Sequence, residues 1–283
     1  MGLPETYENV RKTIVAFTCK RYPKRSSNDL SPSFPTIIGT GFIVDPNGLI
    51  ATNDHVVQYF SEIPKPPGCS EKDLGVEASF LYRIDEGLSR VSLQIIGVSR
   101  IEEFHPGEVY YGPSKPDVAF VLVKARGLPS VTLVNEPKIK DGERVATAGF
   151  PMGTDSLKAP GWLHQIAPTL QEGIISSTLP FPCEAPHGYA INVMTQGGAS
   201  GSPVFLPDNG RVIGVLWGGL LDEAITDRGD IIKSPTNISY VVSSHYLAKS
   251  LNMIKNHPEF ILPPDTKTIE EIIELKISEK GVR

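Results

Sequence analysis

The sequence of 283 residues has few cysteines, no long apolar run and no dense run of basic residues. Its three cysteines, Cys19, Cys69 and Cys183, are widely spaced and odd in number, unlike the paired framework of a small secreted domain. The longest apolar run near the N-terminus, residues 14–17, is too short for the core of a signal peptide. These absences predict a reducing, cytoplasmic setting.

Other absences narrow the possible partners. No segment approaches the roughly 20 apolar residues that a membrane-spanning helix needs. The 27 Lys and Arg residues against 32 Asp and Glu give a net charge of −5, which argues against nucleic acid as the main partner. Apart from His55, the histidines have no Cys or carboxylate at metal-ligand spacing. We therefore expect neither a metal nor an organic cofactor.

Short segments rich in β-branched and aromatic residues make up most of the chain, and Gly, Pro, Asn or Asp separate them at intervals of about ten residues. The predicted strands are residues 13–19, 36–44, 49–53, 77–83, 91–99 and 118–123, then 144–149, 170–177, 189–193, 202–205, 212–218 and 238–242. Two groups of six strands without alternating helices predict an all-β chain of antiparallel barrels or sandwiches. The break between the groups falls near residues 126–129.

Helical periodicity appears only near the C-terminus. Residues 244–255 and 268–277 carry apolar side chains at helical spacing, which predicts two helices. The second has the spacing of a capping box at Thr268 and Glu271. Its apolar face must dock on the body of the protein or on another chain.

Three side chains suited to nucleophilic catalysis occur in the order His55, Asp117 and Ser200. A serine hydroxyl needs a base to remove its proton as it attacks, and histidine is such a base near neutral pH. A carboxylate on the other ring nitrogen fixes the tautomer and stabilises the imidazolium. Ser202 is a rival nucleophile, although its place suits a packing residue at the start of a strand.

The segments around these residues resemble a known family. Four motifs carry the resemblance: Gly39-Thr-Gly-Phe-Ile, Thr52-Asn-Asp-His-Val-Val, Asp117-Val-Ala and Gly198-Ala-Ser-Gly-Ser-Pro. Together they resemble the trypsin-like serine proteases of the chymotrypsin fold, and they are most similar to the HtrA (Deg) branch. The resemblance covers about residues 10–250, with the motifs in the family's order.

This resemblance implies two packed six-stranded antiparallel β-barrels followed by C-terminal helices. The expected parts are residues 1–126 for the N-terminal barrel half, 127–243 for the C-terminal barrel half and 244–283 for a helical tail. The resemblance also implies that His55 and Asp117 come from the first barrel and Ser200 from the second, with the catalytic cleft between them. The amides of Gly198 and Ser200 would then form the oxyanion hole.

The same fold places the floor of the specificity pocket six residues before the nucleophile, at Met194. The walls would come from Leu216, Trp217, Gly218 and Ile238. Because none of these residues is acidic, a basic P1 side chain would be buried without a partner. We therefore expect a preference for an apolar P1 side chain of small to medium size.

The sequence also departs from the family pattern. Ala199 stands where relatives activated by N-terminal cleavage carry an aspartate, so activation by clipping is not expected. Asp54 beside the catalytic histidine is unusual, but neighbouring side chains usually diverge, so we expect no competition with Asp117 for the imidazole. The tail is too short for the downstream PDZ domain of the HtrA pattern.

The sequence therefore predicts a serine endopeptidase that cleaves protein or peptide substrates through an acyl-enzyme on Ser200. The alternative is a latent or non-catalytic protease-fold binding module that a partner or effector activates. Processing of a single polyprotein site, as in viral enzymes, is a third reading. The C-terminal tail is the candidate contact for a second copy of the chain or for a regulatory partner.

Overall fold

The computed structural model describes residues 2–19, 36–64, 74–84, 87–101, 115–135, 138–151, 153, 167–180, 186–225 and 230–281. Cys69 and Cys183 lie outside these residues. The described strands close into two six-stranded antiparallel barrels, and helices follow at the C-terminus. This confirms the predicted all-β, chymotrypsin-like class.

The first barrel follows helix α1 (Leu3–Val10) and a 3₁₀ turn at Arg11–Thr13. Its strands are β1 (Ile14–Cys19), β2 (Thr36–Asp45), β3 (Leu49–Thr52), β4 (Val76–Ile84), β5 (Gly87–Arg100) and β6 (Ala119–Val123). They close in the order β1-β2-β3-β6-β5-β4. A short helix, α2 (Asp54–Gln58), and a 3₁₀ turn at Tyr59–Ser61 follow β3.

The second barrel repeats this arrangement. Its strands are β7 (Arg144–Gly149), β8 (Thr169–Leu179), β9 (Gly188–Ile191), β10 (Pro203–Phe205), β11 (Val212–Ile225) and β12 (Ile231–Ser243). They close in the order β10-β11-β12-β9-β8-β7. Its interior is filled by side chains such as Val145, Ile175 and Tyr189, all fully buried.

Alternation along the strands of the first barrel explains how the two barrels pack. Val15 and Phe17 of β1 belong to the cluster inside the first barrel, whereas Ile14 and Ala16 belong to a second cluster. This second cluster also holds residues of both barrels, including Phe205 of β10. Because successive side chains point to opposite faces of a strand, one face fills the barrel and the other fills the contact between barrels.

The C-terminal helices are α3 (Ser244–Ile254) and α4 (Ile269–Gly281), with a 3₁₀ turn at Pro258–Phe260 between them. Helix α3 adds Leu247 and Leu251 to the cluster between the barrels. Helix α4 docks Ile269 and Ile273 onto the core of the first barrel. The tail therefore packs on the body of its own chain.

The capping box predicted before α4 is confirmed. Glu271 Oε2 accepts a hydrogen bond from the Thr268 amide at 2.7 Å, and Thr268 Oγ1 accepts one from the Glu271 amide at 3.2 Å. These reciprocal bonds satisfy amides that a helix N-terminus otherwise leaves unpaired.

The structure adds elements that the sequence pattern does not predict. Helix α1 has only eight residues and α2 only five, two of them valines, so neither is long enough to show a clear helical period. Strands β11 and β12 continue well beyond the predicted segments 212–218 and 238–242, as a two-stranded ribbon.

Candidate active site

His55 and Asp117 meet at the edge of the first barrel. His55 is the second residue of α2, directly after β3, and Asp117 lies just before β6, which pairs with β3. The Nδ1 atom of His55 lies 2.5 Å from Asp117 Oδ2, and the His55 amide donates to Asp117 Oδ1 at 3.0 Å. Asn53 Nδ2 donates to the Asp117 carbonyl at 2.8 Å. The carboxylate is thus held to both the ring and the backbone of the histidine.

Ser200 lies in the loop before β10, where the second barrel meets the first. Its carbonyl oxygen accepts a hydrogen bond from the Thr40 amide of β2 at 3.0 Å. Its half-buried hydroxyl donates to the Trp217 carbonyl at 3.4 Å, and among the described residues it makes no hydrogen bond to His55. The structure therefore brings His55 and Asp117 into contact, while the serine hydroxyl points to the backbone of β11.

Two backbone amides beside this hydroxyl are available to a ligand. Among the hydrogen bonds of the described residues, the amides of Gly198 and Ser200 donate none. Gly198 has φ +96°, and a Cβ built there would lie 2.4 Å from the Phe150 carbonyl oxygen, so a side chain would not fit. The Thr40 hydroxyl donates to the Gly198 carbonyl at 2.7 Å, which fixes the orientation of the following peptide.

Asp54 turns away from the imidazole, as expected. Its carboxylate is buried and accepts hydrogen bonds from Arg100 Nε at 2.5 Å, Lys115 Nζ at 3.0 Å and Gln58 Nε2 at 3.0 Å. Burial alone would raise the pKa of Asp54, but these hydrogen bonds outweigh it and lower the pKa to about 2. Asp54 is therefore ionised at all ordinary pH values.

The predicted pocket residues differ in their accessibility. Met194 and Ile238 are exposed by 42% and 37%, so both offer apolar surface to a ligand. Trp217 is half-buried and stacks on Tyr240, with ring centroids 5.6 Å apart. Leu216 is only 1% exposed and belongs to the interior of the second barrel. Its amide donates to the Ser202 carbonyl and its carbonyl accepts from the Gly201 amide, so neither its side chain nor its amide is available to a ligand.

Two predicted residues remain: Gly218, a wall of the pocket, and Ser202, the rival nucleophile. No atom lies within 4 Å of a Cβ built at Gly218, which marks open space beside β11. Ser202 is buried, and its hydroxyl donates to the Ala199 carbonyl at 2.5 Å. This bond occupies Ser202 as a structural residue and disfavours it as the nucleophile.

Three residues that contact the site were not predicted from the sequence. Thr40 binds the loop of Ser200, and Arg100 and Lys115 hold Asp54. The signal for Thr40 was its place between two glycines in the first motif. The pairing of Arg100 with Asp54 has no local signal, because the two are far apart in the chain.

The described residues contain no group of three or more metal-ligating side chains. None of the helices among them is long and apolar enough to cross a membrane.

Comparison with known proteins identifies the family. The model of the trypsin-like peptidase domain matches residues 39–215. A DegP-like periplasmic serine endoprotease from Halomonas elongata is 29% identical over 178 residues, which is 63% of this chain and 28% of that protein. One from Pseudomonas putida (strain W619) is 28% identical over 181 residues, with the same coverage. The matching region is thus less than a third of each relative's length.

Solved structures agree on the fold. An HtrA-type protease, AlgW with a decapeptide, matches with a TM-score of 0.54 and 16% identity, over 91% of this chain and 68% of that chain. The serine endoprotease from Yersinia pestis matches with a TM-score of 0.50 and 16% identity, over 89% of this chain and 66% of that one. At this identity the likeness concerns the fold.

The relatives also correct one prediction. The expected cytoplasmic location is wrong, because the DegP-like relatives are named periplasmic. The reasoning failed because a small number of cysteines does not identify a redox compartment: the described Cys19 is a buried free thiol that fits either setting. By the family match, the chain belongs to the trypsin-like peptidase family, and it is similar in sequence to DegP-like serine endoproteases and in fold to HtrA-type proteases.

Proposed function

We propose that the chain is a serine endopeptidase with His55 as general base, Asp117 as its orienting carboxylate and Ser200 as nucleophile. The observation that carries this proposal is the pair of contacts from Asp117 to His55, at 2.5 Å to Nδ1 and 3.0 Å to the amide. A carboxylate on Nδ1 leaves Nε2 as the atom that can accept a proton.

The reaction begins with a rotation of the Ser200 hydroxyl away from the Trp217 carbonyl, to which it now donates. The hydrogen bond to the Trp217 carbonyl is long, at 3.4 Å, and therefore weak, so the rotation costs little free energy. Ser200 Oγ then bonds to the substrate carbonyl carbon while His55 Nε2 takes the hydroxyl proton. His55 returns that proton to the leaving amine as the peptide C–N bond breaks. Water, activated by the same imidazole, hydrolyses the acyl-enzyme.

The unpaired amides of Gly198 and Ser200 are suited to bind the oxyanion of the tetrahedral intermediate. Fixed dipoles aimed at the developing charge need no reorganisation during the reaction. One such donor contributes on the order of 3 kcal/mol to stabilisation of the transition state.

The substrate preference that the pocket supports is an apolar P1 side chain of small to medium size. Met194, Trp217 and Ile238 offer accessible apolar surface, and none of the predicted pocket residues carries a negative charge. A peptide library should show cleavage after apolar residues, and cleavage mainly after Arg or Lys would contradict this preference.

Labelling with a fluorophosphonate probe tests the nucleophile. The wild type should be labelled and should hydrolyse an unfolded protein substrate, whereas Ser200→Ala should lose both. Ser278→Ala is the matched control, because the hydroxyl of this exposed serine of α4 donates within its own helix, to the Leu275 carbonyl.

The alternative of a non-catalytic binding module makes the opposite prediction. A folded wild type that binds peptides but is neither labelled nor able to cleave them would overturn the proposed function. The endoprotease names of the relatives do not favour this alternative.

A further inference from the structure

Asp54, whose carboxylate is buried, forms a charge cluster with the two cations around it, and the mechanism above does not use this cluster. The side chain of Asp54 is only 3% exposed, whereas those of Arg100 and Lys115 are 40% and 27% exposed. Arg100 forms a bidentate ion pair with Asp54: Nε donates to Oδ1, and Nη2 donates to Oδ2 at 3.2 Å. Four hydrogen bonds thus converge on one carboxylate, which is enough to offset the cost of burying its charge.

The cluster joins the two segments that carry the catalytic pair. Asp54 and Gln58 belong to α2, together with His55. Lys115 lies two residues before Asp117, and Arg100 is paired with Ala119 at the start of β6. The ion pairs of Asp54 therefore connect the helix of the general base to the segment of the orienting carboxylate and to the strand beside it.

Geometry makes this connection relevant to the reaction. The 2.5 Å contact between His55 and Asp117 depends on how α2 sits against residues 115–117. Asn53 and the His55 amide bind Asp117, at one end of the segment 115–117. Asp54 binds Lys115, at the other end of this segment. A displacement of about 1 Å of a catalytic group can cost on the order of 100-fold in rate.

Electrostatics supports the same role. The negative charge of Asp54 balances one of the two positive charges beside the catalytic pair. Its low pKa, about 2, keeps it charged throughout the pH range of serine protease chemistry. The groups that face it are Arg100 from β5, Lys115 from the segment before β6, and Gln58 from its own helix.

We propose that Asp54 is a positioning residue of the active site: through Lys115 and Arg100 it sets the approach of His55 to Asp117. The inference rests on the proposed function, and it adds a residue whose contact with the triad is indirect.

The test compares Asp54→Asn with Asp265→Asn in the full chain. Asp265 also binds one lysine, Lys124 at 3.2 Å, but it is an exposed residue of the segment before α4. Asp54→Asn should lower kcat about tenfold with KM unchanged, because the base is misplaced while the pocket is intact. It should also shift or broaden the far-downfield proton resonance of the hydrogen bond between His55 and Asp117. Asp265→Asn should alter neither.

Other results would overturn the proposal. Asp54→Asn with normal kcat and an unaltered downfield resonance, even at lower thermal stability, makes Asp54 a structural ion pair only. A change in KM alone would place its role in substrate binding instead.

A second variant covers failure of Asp54→Asn to fold. Lys115→Met should lower kcat severalfold with KM unchanged, and normal kcat would contradict the proposal. If both single variants fold, the double variant should cost no more than the larger single loss, because both changes break one connection.

The downfield resonance needs no substrate. A wild type that neither hydrolyses protein nor reacts at Ser200 therefore refutes the proposed function, while the comparison of resonances still tests the positioning role.

Discussion

At the scale of single residues, buried polar side chains organise the candidate active site. Thr40 of β2 is fully buried and donates to the Gly198 carbonyl, while its hydroxyl accepts from the Phe150 amide at 3.2 Å. These bonds fix the turn that holds the amides of Gly198 and Ser200. The turn can keep its shape only because Gly198 tolerates a positive φ at a point of close backbone contact.

Thr40→Val keeps the shape of the side chain but removes its hydroxyl. It should lower kcat by at least about tenfold, because the peptide after Gly198 is no longer fixed for the oxyanion. It should also lower the free energy of unfolding by about 1–3 kcal/mol through two unpaired buried groups. Thr18→Val, which removes a buried hydroxyl of β1 that bonds to Ser79 of β4 at 2.8 Å, is the control. A variant of Thr40 with unchanged kcat would contradict this role.

Asp54 should give the stability of the protein a defined acid dependence. Its pKa is lowered from an ordinary 3.8 to about 2, so its stabilising effect is complete above pH 4 and is lost as the pH falls towards 2. A shift of this size corresponds to about 2 kcal/mol. In urea unfolding, the difference between wild type and Asp54→Asn should narrow between pH 4 and pH 2. A difference independent of pH in this range would show that the carboxylate is not held as described.

The sequence predicted His55 and Asp117 as neighbours through the resemblance of the motif around each to the trypsin-like proteases. It was not sufficient to predict the partners of Asp54, because Arg100 meets it only after β5 and β6 have paired. Nor could it predict the direction of the Ser200 hydroxyl, which depends on a backbone carbonyl of β11.

At the scale of elements, the pattern of apolar residues predicted the strands whose side chains are buried in the structure. The twelve strands were found because runs such as β6 are apolar on both faces, one towards the barrel interior and one towards the other barrel. The extended ribbon of β11 and β12 was missed beyond residue 218. There, polar residues such as Glu223 and Lys233, which form an exposed ion pair at 2.6 Å, hide the strand pattern.

Helix α4 provides a matched pair of substitutions. Ile273 is 7% exposed and packs on the first barrel, whereas Ile277 on the same helix is 40% exposed. Ile273→Ala should lower the free energy of unfolding by about 2–4 kcal/mol, and Ile277→Ala by well under about 1 kcal/mol. Equal losses in chemical denaturation would show that α4 does not dock through this face.

At the scale of the whole molecule, the two barrels and α3 share one apolar cluster. Phe42 of β2, Phe205 of β10 and Leu247 of α3 are all fully buried in it. The boundaries predicted at residues 126 and 243 remain predictions. The shared cluster holds residues from both sides of each boundary.

Because of the shared cluster, the protein should unfold in a single calorimetric transition. Phe42→Ala should lower the midpoint of that transition without splitting it, at a cost of about 3–5 kcal/mol. Two separate transitions in the wild type would show that each barrel is stable alone.

The bonds that Thr40 makes to the loop of Ser200 run from one half of the chain to the other. Under the proposed function, hydrolysis would therefore report whether the two halves have come together. Two fragments divided between β6 and β7, each fused to one member of an interacting pair, would form a proximity sensor whose signal is amplified by turnover.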